Sequence, residues 1–221
     1  MPSAHHDALI AGAHVAYAKT ERSAAQIVAA ATRVLARQGY ARTSLLDIAR
    51  EAGMSKGALH YHFPSKESLV NRVLETALEN IANRTLDAWI ASSGDPIQAL
   101  RSSVKELWFV RRTRTDEVAV VADLMAQALY DESLKPQLAG YFRFAAQQVT
   151  QTLVPHLASM GLRLRVPGEL VPRILVGLLD GLAMQHYVDP GAIDEQGLLV
   201  AVEAMAAGLF EMAPIEERAG S

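Results

Sequence analysis

Apolar positions recur along this chain at helical rather than strand spacing. Ile27, Ala31, Val34 and Leu35 share one face of a helix that opens at Ser23, a capping residue type, and closes at Gly39. Ser44, followed three places on by Asp47, predicts a capping-box-like start to a second helix, with Ile48, Ala49 and Ala52 as its inner stripe and Gly53 as its end. Leu69, Val73, Ala77, Leu78 and Ile81 predict a long helix from Lys66 to Trp89. The segment SSGDP at 92–96 reads as a loop that also starts the next helix, with Asp95 as cap and Pro96 in the first turn. That helix runs to Arg112, where the polar stretch RRTRTDE breaks the pattern. Later helical runs cover 116–130, 134–158, 168–187 and 194–211, with VPG and DPG as separators. Neither a useful period-2 alternation nor an internal repeat is present, so the chain is expected to be all-α with about nine helices. Four segments are expected: a flexible arm over 1–22, a helix-turn-helix domain over 23–66, a larger helical domain over 67–213, and a tail over 214–221.

Composition narrows the class. With 221 residues, 50% apolar and 20% charged, the chain can bury a sizeable core and is not of disordered type. It has no cysteine, which excludes disulfides and thiolate metal sites and makes a reducing cytoplasm the natural setting. No apolar run reaches the roughly 18–20 residues of a membrane span. The N-terminus lacks a cationic start followed by a solid apolar core, so it does not read as a signal peptide. The net charge of −3 divides unevenly. Residues 1–66 hold eight Lys/Arg against four Asp/Glu, and residues 67–221 hold thirteen against twenty. A cationic head on an anionic body lets the head seek phosphates.

The stretch Thr43–Lys66 is where chemistry concentrates. Gly53 can take the positive φ that a sharp interhelical turn requires, Met54 can plug the turn, and Ser55 can cap a short helix. Lys56, Gly57 and Ala58 then face outward with little bulk, as a helix must to enter a wet groove. Its N-terminus offers free N–H groups to a phosphate. Leu59 and Phe63 face back toward Ile48 and Leu35.

Residues 27 to about 69 resemble the DNA-binding domain of the TetR (tetracycline repressor) family. The resemblance lies in Gly39-Tyr40, Thr43-Ser44, Asp47-Ile48-Ala49, Ala52 to Leu59, Tyr61-His62-Phe63 and Ser65 to Leu69, in order and at the right spacing. It implies that Thr43 and Ser44 bind phosphate, that Ser55, Lys56, Gly57 and Ala58 lie at the major groove of double-stranded DNA, and that Tyr61, His62 and Lys66 clamp phosphates. His60 stands where the family usually has Tyr, and could donate to a phosphate or reach a base.

Two patterns are decoys. Gly53 to Gly57 fits the G-x-S-x-G of serine hydrolases, but that serine needs a strand-to-helix turn and the segment before it reads as helix. His60 and His62 project about 200° apart on a helix and cannot share an ion. The Arg111-Arg112-x-Arg114 cluster reads as a solvated helix end. No metal, cofactor or enzymatic activity is expected.

In the body, helices 168–187 and 194–211 are too apolar for the edge of a monomer. The resemblance makes them a homodimer interface, here with Leu175, Leu178, Leu179, Leu182, Leu198, Val202, Met205 and Leu209. It also implies an effector cavity among the central helices, with Trp89, Trp108, Phe109, Met125, Tyr141, Phe144, Gln148 and Met184 as lining, suited to a largely apolar small molecule. The resulting expectation is a ligand-responsive repressor released from a palindromic operator. A regulator of the same fold that answers to a protein partner is the alternative.

Overall fold

A computed structural model describes residues 4–92, 96–113, 115–159 and 161–212. Among them are nine α-helices: α1 Ala4–Gln38, α2 Leu45–Glu51, α3 Lys56–His62, α4 Lys66–Ile90, α5 Pro96–Arg112, α6 Asp116–Gln127, α7 Lys135–Ser159, α8 Leu170–Val188 and α9 Glu195–Leu209. A 3₁₀ turn, Glu132–Leu134, precedes α7. The expected cap at Asp95 and the expected tail at 214–221 lie outside the described residues.

Two features depart from the sequence pattern. Residues 4–22 continue α1 rather than forming an irregular arm. The segment has no apolar stripe, but it is dense in alanine, and intrinsic propensity needs no periodicity to favour a helix. The chain also contains strands, β1 Leu162–Leu164 and β2 Phe210–Met212, paired antiparallel with Arg163 opposite Glu211. Three residues per strand are too few to show alternation. What holds them is a cross-strand ion pair, Arg163 Nε to Glu211 Oε1 at 2.8 Å, and the Arg165 N–H donating to the Leu209 carbonyl at 2.8 Å.

The chain divides into two compact units, one of Met1–Glu75 with Ala119–Leu134, the other of Thr76–Val118 with Lys135–Ser221. Two boundaries fall inside α4 and α6 and the third between the 3₁₀ turn and α7, so the division differs from the expected one at 66/67. In the first unit, Ile27, Ala31, Val34 and Leu35 of α1, Ile48 and Ala49 of α2, Leu59 of α3 and Leu69, Val70 and Val73 of α4 are buried, as are Val120, Val121 and Leu124 of α6. Glu51 of α2 reaches Arg33 Nε of α1 at 2.9 Å and Arg37 at 3.4 Å, tying the two helices at the surface. α6 enters this unit through Asp123, whose Oδ2 accepts the Tyr40 N–H at 2.6 Å just past the left-handed turn at Gly39, φ 78°.

The core of the second unit joins α5, α8 and α9: Val104, Leu107, Trp108, Leu179, Ala183, Leu198 and Val202 form one buried cluster. A Cβ placed on Gly53 (φ +65°) would meet nothing within 4 Å, so that glycine is needed for its backbone conformation and not for space. Gly53→Ala is therefore expected to lower stability by about 1–2 kcal/mol in urea unfolding, with Gly53→Asn costing less. Equal costs for the two would remove left-handed strain as the cause.

Candidate nucleic-acid interface and ligand cavity

α2, its turn and α3 are set by local hydrogen bonds that the sequence makes legible. Ser44 and Asp47 form a reciprocal capping box. Ser44 Oγ accepts the Asp47 N–H, while Asp47 Oδ2 accepts from the Ser44 N–H at 3.0 Å and its hydroxyl at 2.6 Å. These bonds hold the Asp47 carboxyl below the ordinary carboxylate range, and Arg50 adds to the effect. Ser55 Oγ accepts the Ala58 N–H at 3.1 Å and caps α3. That hydroxyl is the helix cap, and α2, not a strand, precedes it, so the G-x-S-x-G match has none of the geometry of a nucleophile.

From this frame α3 projects an uncluttered outer face. Ser55, Lys56, Gly57, Ala58, His60 and Tyr61 are exposed, and only Leu59 is buried. Tyr61 is 80% exposed and meets the His62 ring edge-on at 5.3 Å. A tyrosine this open on a helix is placed to reach a partner, since packing gives it no burial.

Two residues expected to touch phosphate are instead turned into the protein. Thr43 is buried, and its hydroxyl donates to the Gly39 carbonyl at 2.7 Å. The Lys66 ammonium donates to the Tyr40 carbonyl and lies 3.7 Å from the centre of the Tyr40 ring. Burial pulls its pKa down, against the opposing pull of Glu67, Asp123 and Asp131. The physical reason is shared: a short hydroxyl and a long cation both satisfy the loop Gly39–Arg42, whose carbonyls have few helical partners.

In the second unit a cavity of about 180 Å³ opens among α4, α5, α7 and α8. Of the expected lining, Trp89, Tyr141, Phe144 and Gln148 are present. The other four are not. Trp108 is buried in the α5/α8/α9 cluster with its ring edge-on to His186 at 5.6 Å. Phe109 is on the opposite side of α5, beside the guanidinium groups of Arg84 and Arg112. Met125 belongs to the first unit, and Met184 is exposed. Aromatic and Met content alone could not separate helix faces.

The lining includes residues that the sequence reading passed over, chiefly Asn83, Ser103 and Arg111. Arg111 is not a solvated helix end. It is buried, its Nε donates to Asp180 Oδ1 at 2.7 Å, and its Nη1 donates to the Leu107 carbonyl at 3.2 Å. The Tyr187 hydroxyl donates to the Arg111 carbonyl. Burial pushes the Tyr141 hydroxyl up to about 12, Arg111 opposing and Asp180 adding to the rise. The missed signal was spacing: Val104, Leu107, Trp108 and Arg111 share one helix face, and a cation on an apolar face needs a partner.

The faces of α8 and α9 also sort differently. Leu179, Leu198 and Val202 are buried within the chain's own core, and Leu175, Leu178 and Leu182 pack against it. The apolar and glycine residues that α8 leaves exposed are Leu170, Ile174, Gly177, Gly181, Met184 and Val188, a heptad-like stripe bordered by the exposed Arg173 and Gln185. On α9 the exposed residues among those described are Gln196, Gly197, Val200, Ala201, Ala204, Met205 and Gly208. Among the described residues, nothing beyond the helix's own nearby backbone lies within 4 Å of a Cβ built on Gly177, Gly181 or Gly208.

No helix among the described residues is long and apolar enough to cross a membrane. Residues 27–73 match the model of bacterial regulatory proteins of the tetR family, and residues 96–211 match that of the BetI-type transcriptional repressor C-terminal region. The chain is 26% identical over 185 residues to the HTH-type transcriptional regulator TtgR of Pseudomonas putida, covering 81% of this chain and 87% of that protein. It is 24% identical over 179 residues to the HTH-type nicotine-responsive transcriptional repressor HdnoR of Paenarthrobacter nicotinovorans, covering 75% and 84%. The fold is similar to that of a TetR-family regulator from Rhodococcus sp., with a TM-score of 0.71 at 20% identity, covering 84% of this chain and 98% of that one.

Proposed function

Because the chain belongs to the TetR family of bacterial transcriptional regulators, which bind DNA and are not enzymes, we propose that it is a ligand-responsive repressor. In this reading it holds a palindromic operator as a homodimer and leaves it when a small, largely apolar effector occupies the second unit. The observation that carries the reading is the cavity there, with aromatic and aliphatic walls and the Ser103 hydroxyl, which is buried and has no hydrogen-bond partner among the described residues. A regulator governed only by a protein partner has no use for such a space, and packing normally fills it. The similarity to HdnoR, a nicotine-responsive repressor, supports the same assignment.

On the DNA side, Ser55, Lys56, Gly57, Ala58 and His60 are assigned to the major groove, and Ser44, Tyr61 and His62 to the backbone. Thr43 and Lys66 are assigned to holding the head in shape. Lys56→Ala is expected to change base preference at one position per half-site, by about 1–3 kcal/mol. Lys66→Ala is expected to lower stability and leave the salt dependence of binding unchanged. Losing about one unit of salt slope on removal of Lys66 would return it to the phosphate contacts.

The exposed stripes of α8 and α9 are assigned to the second copy of the chain. Selection of bound duplexes from a random pool, repeated with a metabolite library, tests the whole reading. Recovery of a palindrome that some metabolite releases is the expected result. An asymmetric site, or one that no metabolite releases, would count against it.

A further inference from the structure

The cavity of the second unit specifies a class of ligand. We propose that it takes an uncharged compound of about one aromatic ring, carrying a single hydrogen-bond acceptor such as a ketone or ester oxygen. This rests on reading that unit as the effector-sensing part of the protein.

Size sets the first limit. An apolar cavity of about 150 Å³ holds a benzene, and this one measures about 180 Å³. One ring with a short substituent fits, and fused rings do not without repacking. Trp89, Tyr141 and Phe144 supply aromatic faces, and Leu107, Leu175 and Val176 supply aliphatic ones.

Charge sets the second limit. Among the described lining residues, Arg111 is the only one with a full charge. An aromatic wall could otherwise suit an onium ion, but a guanidinium beside it repels a cation. An anion gains little, because Asp180 already holds that guanidinium at 2.7 Å and the anion would give up its water to enter.

Hydrogen bonding sets the third. The Ser103 hydroxyl lines the cavity, its residue is 7% exposed, and its oxygen has no partner among the described residues. Buried hydroxyls are rarely left so, which marks it as reserved for something absent. Its neighbours in the lining add donors: the Arg111 guanidinium, and the Tyr141 hydroxyl, which burial keeps protonated well above neutral pH. These three side chains line one space and each can donate, which suits an acceptor on the ligand.

The test uses the full chain, tryptophan fluorescence and thermal shift, with four one-ring probes: acetophenone, ethylbenzene, benzoate and benzyltrimethylammonium. Acetophenone is expected to bind saturably and about five- to tenfold more tightly than ethylbenzene, the margin of one hydrogen bond. In Ser103→Ala that margin should close while the free protein stays as stable, because the hydroxyl removed had no partner. Tighter binding of benzoate or benzyltrimethylammonium, no binding by any probe, or a margin that survives Ser103→Ala would each overturn the proposal. Operator affinity is measured on the same samples. If acetophenone binds as expected and operator binding does not change, the ligand class stands and the effector reading fails. If a charged probe binds instead and releases the operator, the effector reading stands and the ligand class fails.

Discussion

Ile174→Glu is expected to leave a folded protein that sediments as a single chain and binds operator about 10²–10⁴-fold more weakly, the margin lost when two linked binding events become one. Ile174 is 48% exposed on the α8 stripe, so in a lone chain the carboxylate of the new side chain would stand in water. Against a second copy it would be a buried, unpaired charge. Two heads can meet successive major-groove faces only at a spacing of about 34–36 Å or a multiple, which a monomer cannot supply. Gly181→Leu separates this from unfolding. A Cβ added there meets no neighbouring side chain among the described residues, and leucine favours helix over glycine by roughly 1 kcal/mol, so the monomer should keep or gain stability while the pair is wedged apart. A dimer of ordinary mass in both variants would remove this face from the interface. The contrast is Val202, which is buried against Leu198 and Trp108. A charge there should unfold the second unit, because the helix face it occupies belongs to the chain's own core.

Arg111→Met is expected to cost about 3 kcal/mol in urea unfolding, because it strands Asp180 beside an apolar core. The pair is largely buried, with side-chain exposures of 7% for Arg111 and 27% for Asp180, so solvent screens it far less than the surface pairs of α1 and α2. The double variant Arg111→Met/Asp180→Leu should recover most of the loss, since a buried ion pair replaced by well-packed apolar groups is often neutral. The difference between the single and double variants measures the coupling. Strictly additive costs would show that the two charges do not depend on each other, and the cavity wall would then carry a positive charge open to anions.

The capping boxes, the glycine turn and the DNA-facing side of α3 were legible because each rests on neighbours within four residues. Ser44 with Asp47, Ser55 with Ala58 and Gly53 with its positive φ are local geometry, and local geometry follows residue type. Spacing alone likewise assigns Leu59 inward and Lys56 outward. The misreadings came where a helix has two apolar sides or a polar side chain has a distant partner. Leu179 and Ile174 are equally apolar and sit on one helix, yet one is in the core and the other in solvent. No period of a single segment tells which side α5 will cover.

The sequence by itself determined the helices, the helix-turn-helix and the family to which they belong, because these depend on propensity, capping and spacing along a short stretch of chain. Only the tertiary structure decided that Lys66 braces Tyr40, that Arg111 holds Asp180 at the edge of a cavity, and that Ser103 is left without a partner among the described residues. Those outcomes join residues 26 and 69 positions apart, or isolate one buried group from all others. Such partners are chosen by packing in three dimensions, and so they were out of reach until the helices had been placed.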